Sequence, residues 1–180
     1  MKIFNLFFLI IFFLAKSNLV FAFNFDANNP PSEIVKNIRN AKLTGQDRLT
    51  FLGFKIYDIS LWSESNYFSY DKKFAISIKY KKNFVKNDLI DRSIIEMRKN
   101  HDMSDEQEIF FKKNMMRVFN DIKKDDTKTI IFDPKGSIKF YHNSNFNGTI
   151  NDKGFARKFV DIWLHENSSY PQITKNLLGK

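Results

Sequence analysis

Histidines are the first residues to ask about chemistry, and this 180-residue chain has three: His101, His142 and His165. They lie far apart. None has a second ligand at the helical or hairpin spacing of a paired-histidine metal motif, so each reads as a loop or surface residue. There is no cysteine, which excludes thiol catalysis, zinc–thiolate sites and disulfides. Acidic clusters at Asp102, Asp105, Glu106 and Glu108, and at Asp125 and Asp126, lack the alternating spacing of a calcium loop and read as a solvated helix start and a turn. No Gly-Lys-Ser/Thr phosphate loop, Gly-x-Gly-x-x-Gly or Gly-x-Ser-x-Gly elbow occurs. No catalytic residue, metal ligand or cofactor is therefore assigned. Two arginines stand out instead. Arg48 lies beside Leu49 and Phe51, and Arg92 lies among Leu89, Ile90 and Ile94, where a guanidinium could hold a carboxylate in a bidentate grip. The competing reading for each is a side chain that snorkels to solvent.

The elements that would carry these residues follow from periodicity. Apolar residues recur at strand spacing from Ala41 to Ser63, with Gly45 and Gly53 as turn or bulge positions, which predicts two adjacent antiparallel strands. In the second, apolar residues occupy both faces, as in a central strand. Phe74 to Tyr80 alternates, with Phe74, Ile76, Ile78 and Tyr80 inward and Ser77 and Lys79 outward. Leu89, Ile90, Ile94 and Met97 then fall at helical spacing. Ser104 with Gln107 forms a capping box for a second helix, whose buried stripe is predicted as Ile109, Phe110, Met115 and Phe119. Thr129–Phe132, Ser137–Tyr141 and Asn145–Ile150 form a meander, with turns at Pro134-Lys135-Gly136 and His142-Asn143-Ser144. Asp152 caps a helix that buries Phe155, Phe159, Ile162 and Trp163, and Pro171 opens a last short helix carrying Ile173, Leu177 and Leu178. The connections are too short for parallel crossovers, so the predicted class is α+β: an antiparallel sheet with helices packed on one face.

The N-terminus sets the expected address. Lys2, the apolar run Ile3–Ala15 and Val20-Phe21-Ala22 give the order of a secretory signal peptide cleaved after Ala22. Lys16 interrupts the run short of the about 20 apolar residues a bilayer span needs, so no integral span is expected after cleavage. Residues 23–40, containing Asn28-Asn29-Pro30-Pro31, read as linker and lead-in, and 41–180 as a single domain. The leader holds two of the 29 basic residues and none of the 20 acidic ones, leaving 27 against 20, a formal balance of +7. The basic residues are dispersed in pairs such as Lys72-Lys73 and Lys123-Lys124, which describes a solvated cationic surface rather than a nucleic-acid site.

The run Leu49-Thr50-Phe51-Leu52-Gly53-Phe54-Lys55-Ile56-Tyr57-Asp58-Ile59-Ser60-Leu61-Trp62 resembles the bacterial chalcone isomerase-like family of exported proteins. Leu89 to Arg98 resembles the family's helix signature, Phe140-Tyr141-His142-Asn143 its hairpin, and Phe155-Ala156-Arg157 through Ile162-Trp163-Leu164 its C-terminal helix. Leu177-Leu178-Gly179 closes the pattern. The resemblance spans about Leu43 to Gly179.

It implies the chalcone isomerase fold, with a ligand cleft between sheet and helices. Relatives in the wider superfamily divide into isomerases and fatty-acid-binding proteins that catalyse nothing. The isomerases use an arginine on an early strand with a tyrosine and an asparagine near the first long helix. Only the arginine has a match, Arg48; the other two roles align near Lys86 or Asn87 and near Ser93. The expectation is a non-catalytic periplasmic or secreted binding protein. It would hold an amphipathic ligand such as a fatty acid, with Arg48 or Arg92 meeting the carboxylate, Tyr57 adding a hydrogen bond, and Met115-Met116 in the lining. The alternatives are a chalcone isomerase-type intramolecular lyase acting on a phenolic substrate through Arg48, and an envelope protein-interaction module.

Overall fold

Strands dictated by alternation and joined, in most cases, by short connections favour pairing of each strand antiparallel with the next; the link from Tyr80 to Thr127 is long enough for a crossover because it carries two helices, yet its strands pair antiparallel as well. The computed structural model, which describes residues 25–65 and 67–180, shows this sheet. Its order is β1 (Lys42–Phe51), β2 (Phe54–Ser63), β3 (Phe74–Tyr80), β4 (Thr127–Asp133), β5 (Ser137–His142) and β6 (Asn145–Asn151). The helices are α1 (Ser32–Asn37), α2 (Lys86–Asn100), α3 (Asp105–Val118), α4 (Lys153–Leu164) and α5 (Pro171–Leu177). The predicted leader Met1–Ala22 lies outside the described residues. Among the described residues no helix is long and apolar enough to cross a membrane.

Strand parity sorts the side chains into two layers. Ile59 and Leu61 of β2, Phe74, Ile76 and Ile78 of β3 and Ile130 and Phe132 of β4 face α2 to α5 in the main core. Helix starts follow the local chemistry. Ser104 and Gln107 close the predicted capping box on α3, and Asp152 Oδ1 accepts from the Phe155 N–H at 2.6 Å. The stripe predicted for α3 is corrected: Phe111, Met115 and Val118 are buried, whereas Ile109 is 68% exposed and Phe110 47%. Ile109-Phe110-Phe111 offers three phases for one apolar stripe, and packing against α2 and β6 selects the third. Close approach matters at Gly45, where a Cβ would stand 2.1 Å from the Asn176 carbonyl oxygen at the end of α5.

The other face of the sheet is covered too, by the stretch read as lead-in. Ile34 of α1 and Ile38 just beyond it pack with Trp62, Ala75 and Ile131 in a second, smaller cluster. Beside it lies a polar layer: Thr129 Oγ1 donates to Glu33 Oε1 at 2.6 Å, and Ser77 lies 3.2 Å from Thr129 Oγ1. Ser77 points away from the main core as predicted, yet it is fully buried. Cover on both faces is why Asp58, Ser60 and Trp62 of β2 are as buried as Ile59 and Leu61.

Candidate functional site

The main core is not filled to the floor of the sheet. A cavity of about 480 Å³ separates the helix-side face from α2 and α4, within the roughly 300–1,000 Å³ typical of small-molecule sites. Its floor is Leu49, Tyr57, Ile78, Tyr80, Lys128, Ile130 and Phe140, one or two residues from each of five successive strands; its roof includes Leu89, Arg92, Phe159 and Trp163. A second depression, beside Arg98, His101 and Gln107, is open to solvent and has a more polar lining, so it offers little to an apolar ligand.

One wall group is out of character. Lys128 is 6% exposed and shares the inward parity of Ile130 and Phe132. Its Nζ donates to Asn120 Oδ1 at 2.9 Å and stands 5.8 Å from the centre of the Phe119 ring. Burial pulls its pKa down to about 8; Asp126 opposes the fall and Lys86 adds to it. The amine is thus protonated at neutral pH. An ammonium has three donors, and Asn120 takes one.

Two tyrosines complete the polar inventory of the floor. Tyr57 and Tyr80 meet edge to face with ring centres 6.1 Å apart, and burial raises both hydroxyls well above the ordinary tyrosine range. They are neutral hydrogen-bonding groups, not bases. Trp163 Nε1 donates to the Tyr57 oxygen at 3.2 Å. At the rim, Arg92 has a 57% exposed side chain and pairs with Glu96 one turn along α2; Glu96 also accepts from Ser169 Oγ at 2.6 Å. Ser93 lines the cavity but donates to the Leu89 carbonyl at 2.7 Å.

Of the residues predicted for the ligand, the structure brings Tyr57 and Arg92 to the cavity and places Arg48 elsewhere. Arg48 is paired across the strands with Asp58, on the face opposite Leu49. Its Nε meets Asp58 Oδ1 at 2.5 Å, and Lys81 Nζ meets the other oxygen at 3.0 Å. Burial would raise the Asp58 carboxyl, but the hydrogen bonds from Arg48 and Lys81 outweigh it and hold it below the usual range. The physical reason for the correction is parity, because neighbouring strand residues point to opposite faces. The two methionines also leave the lining: Met115 is fully buried in the core and Met116 is 45% exposed. Lys128 was missed although its signal is present in the sequence, a lysine two residues ahead of Ile130 on the same strand face.

The chalcone isomerase-like family matches residues 36–179. Among curated proteins, none matches the sequence. Among solved structures, the chain is similar to the Arabidopsis thaliana fatty-acid-binding protein AtFAP1, at 13% identity and a TM-score of 0.63, over 86% of this chain and 90% of that one. At that identity the likeness speaks for the fold alone: an antiparallel sheet backed by helices. By the span of the family match and the agreement of sheet and helices with that fold, the chain belongs to the chalcone isomerase-like family.

Proposed function

We propose that this protein is a non-catalytic binding protein for an amphipathic carboxylate of the fatty-acid type. The tail occupies the sheet–helix cavity and the carboxylate meets Lys128. The observation that carries this reading is a lysine amine sunk in a largely apolar cavity with one side-chain acceptor, Asn120. A buried cation is costly without a partner, and a carboxylate supplies both the charge and the acceptors that Asn120 alone does not. The fatty-acid-binding structural neighbour supports the same class of ligand. We further propose that the leader Met1–Ala22 exports the chain, so that the protein works in the bacterial envelope.

The test is mass spectrometry of lipids extracted from the purified protein, followed by displacement of a fluorescent fatty acid from delipidated protein. Carboxylate lipids should copurify, and Lys128→Met should weaken displacement at least tenfold, as expected for loss of about 1.4 kcal/mol or more from a charge-assisted contact. No bound lipid and no displacement would overturn the reading. An amine titrating near pH 8 is also competent in proton transfer. The lyase reading is therefore tested on a panel of chalcones, where turnover abolished by Lys128→Met would replace the binding reading.

A further inference from the structure

The turn between β1 and β2 is built against local preference. Phe51 pairs with Phe54, so Leu52 and Gly53 are the two central residues of the hairpin, and both have positive φ, +47° and +79°. That backbone calls for Asn-Gly or Asp-Gly, because an asparagine or aspartate tolerates the left-handed region and a leucine does not. Here the position is held by a leucine that is 80% exposed, flanked by Phe51 at 57% and Phe54 at 59%. Neither turn chemistry nor packing accounts for three large apolar side chains in water at a hairpin tip. Strain kept at such a place points to function.

The tip has two neighbours that say what it meets. Phe51 also lines the cavity, so the apolar tip is continuous with the cavity's edge. The charge at the tip itself is basic: Lys82 Nζ lies 4.0 Å over the Phe54 ring and Lys55 follows Phe54 on the strand, with Lys123 and Lys124 exposed at the same end of the sheet. Asp88, Asp121 and Asp125 are the exposed acids there, and Asp121 already accepts the Lys86 N–H. An aromatic and aliphatic tip flanked by two lysines suits the boundary between acyl chains and anionic head groups, whereas protein interfaces are depleted of lysine.

We propose that the β1–β2 tip docks the protein on a bilayer containing anionic lipid, seating the cavity's edge where an amphipathic ligand enters or leaves. The proposal rests on the ligand-binding reading above. The test uses the purified mature protein beginning at Phe23, so that the apolar run of the leader does not itself bind lipid, and sedimentation with vesicles of phosphatidylcholine and phosphatidylglycerol in equal parts. The variant is Leu52→Asn with Phe54→Ser, which suits the turn and leaves the core intact. Wild type should sediment, the variant should partition about tenfold more weakly, and fluorescent fatty acid delivered from solution should bind both alike. Wild type that stays in the supernatant overturns the proposal, as does a variant that sediments like wild type. So does a variant whose only change is its oligomeric state without vesicles, which would mark the tip as a self-association surface. Failure of solution fatty-acid binding by wild type, with sedimentation intact, instead refutes the ligand reading and not the docking.

Discussion

Replacing Lys128 by methionine should make the ligand-free protein more stable while it weakens fatty-acid binding at least tenfold. The side chain is 6% exposed and its pKa falls from 10.5 to about 8. At about 1.4 kcal/mol per unit, holding the charged amine in the fold costs roughly 3 kcal/mol at neutral pH. Removing it also removes the hydrogen bond to Asn120, worth about 1 kcal/mol. Methionine fills similar volume without charge, so Lys128→Met should raise the unfolding free energy by about 2 kcal/mol at pH 7. The sign of the pH dependence is specific. Between about pH 8 and 10.5 the unfolded state binds more protons at this site than the folded state, so the wild-type penalty is complete below pH 8 and fades toward 10.5. Urea denaturation of delipidated protein, followed by tryptophan fluorescence at pH 7 and pH 10, reads both effects, and fatty-acid displacement reads the binding. A variant that is less stable than wild type at pH 7, or a gap that does not narrow with pH, would refute the reasoning.

The same amine predicts that affinity for a fatty carboxylate, itself ionised throughout, falls about tenfold between pH 7 and pH 9 as the ammonium is lost; titration calorimetry across that range checks it. Arg48→Ala should destabilise the protein by about 2–3 kcal/mol, because buried Asp58 keeps Lys81 but loses its shortest partner, and should leave fatty-acid affinity unchanged. Loss of binding in a folded Arg48→Ala protein would return that residue to the site. Ile78→Trp, on the cavity floor, should cost about 1–3 kcal/mol by overpacking and cut affinity at least tenfold. Gly45→Ala should cost several kcal/mol in thermal denaturation, since its Cβ would meet the carbonyl oxygens of Asn176 and Leu177 at 2.1 and 2.4 Å.

Much of the fold was legible because it is written in local periodicity. The alternation of Phe74 to Tyr80, the Ser104–Gln107 box and the Asp152 cap each name an element and its orientation from neighbours only a few residues away. Short connections then favoured antiparallel neighbours for β1–β2 and for β4 to β6, whereas the antiparallel pairing of β3 with β4 across two helices was a tertiary outcome. The role of α1 was not legible, since a six-residue helix has almost no periodicity and Ile34 and Ile38 acquire meaning only under Trp62 and Ala75.

The site divides the same way. Sequence alone determined that this protein is an α+β domain with largely apolar inward strand residues and with no thiol and no phosphate-loop motif. Which buried cation lines the cavity was decided by tertiary structure. A reading by neighbourhood chose Arg48 because Leu49 and Phe51 flank it, but flanking residues on a strand point the other way, and Asp58 waits on that far face. Lys128 enters the cavity because five strands and two helices enclose the space around it, and the lowered pKa that makes it a candidate is a property of that enclosure, which no stretch of chain possesses by itself.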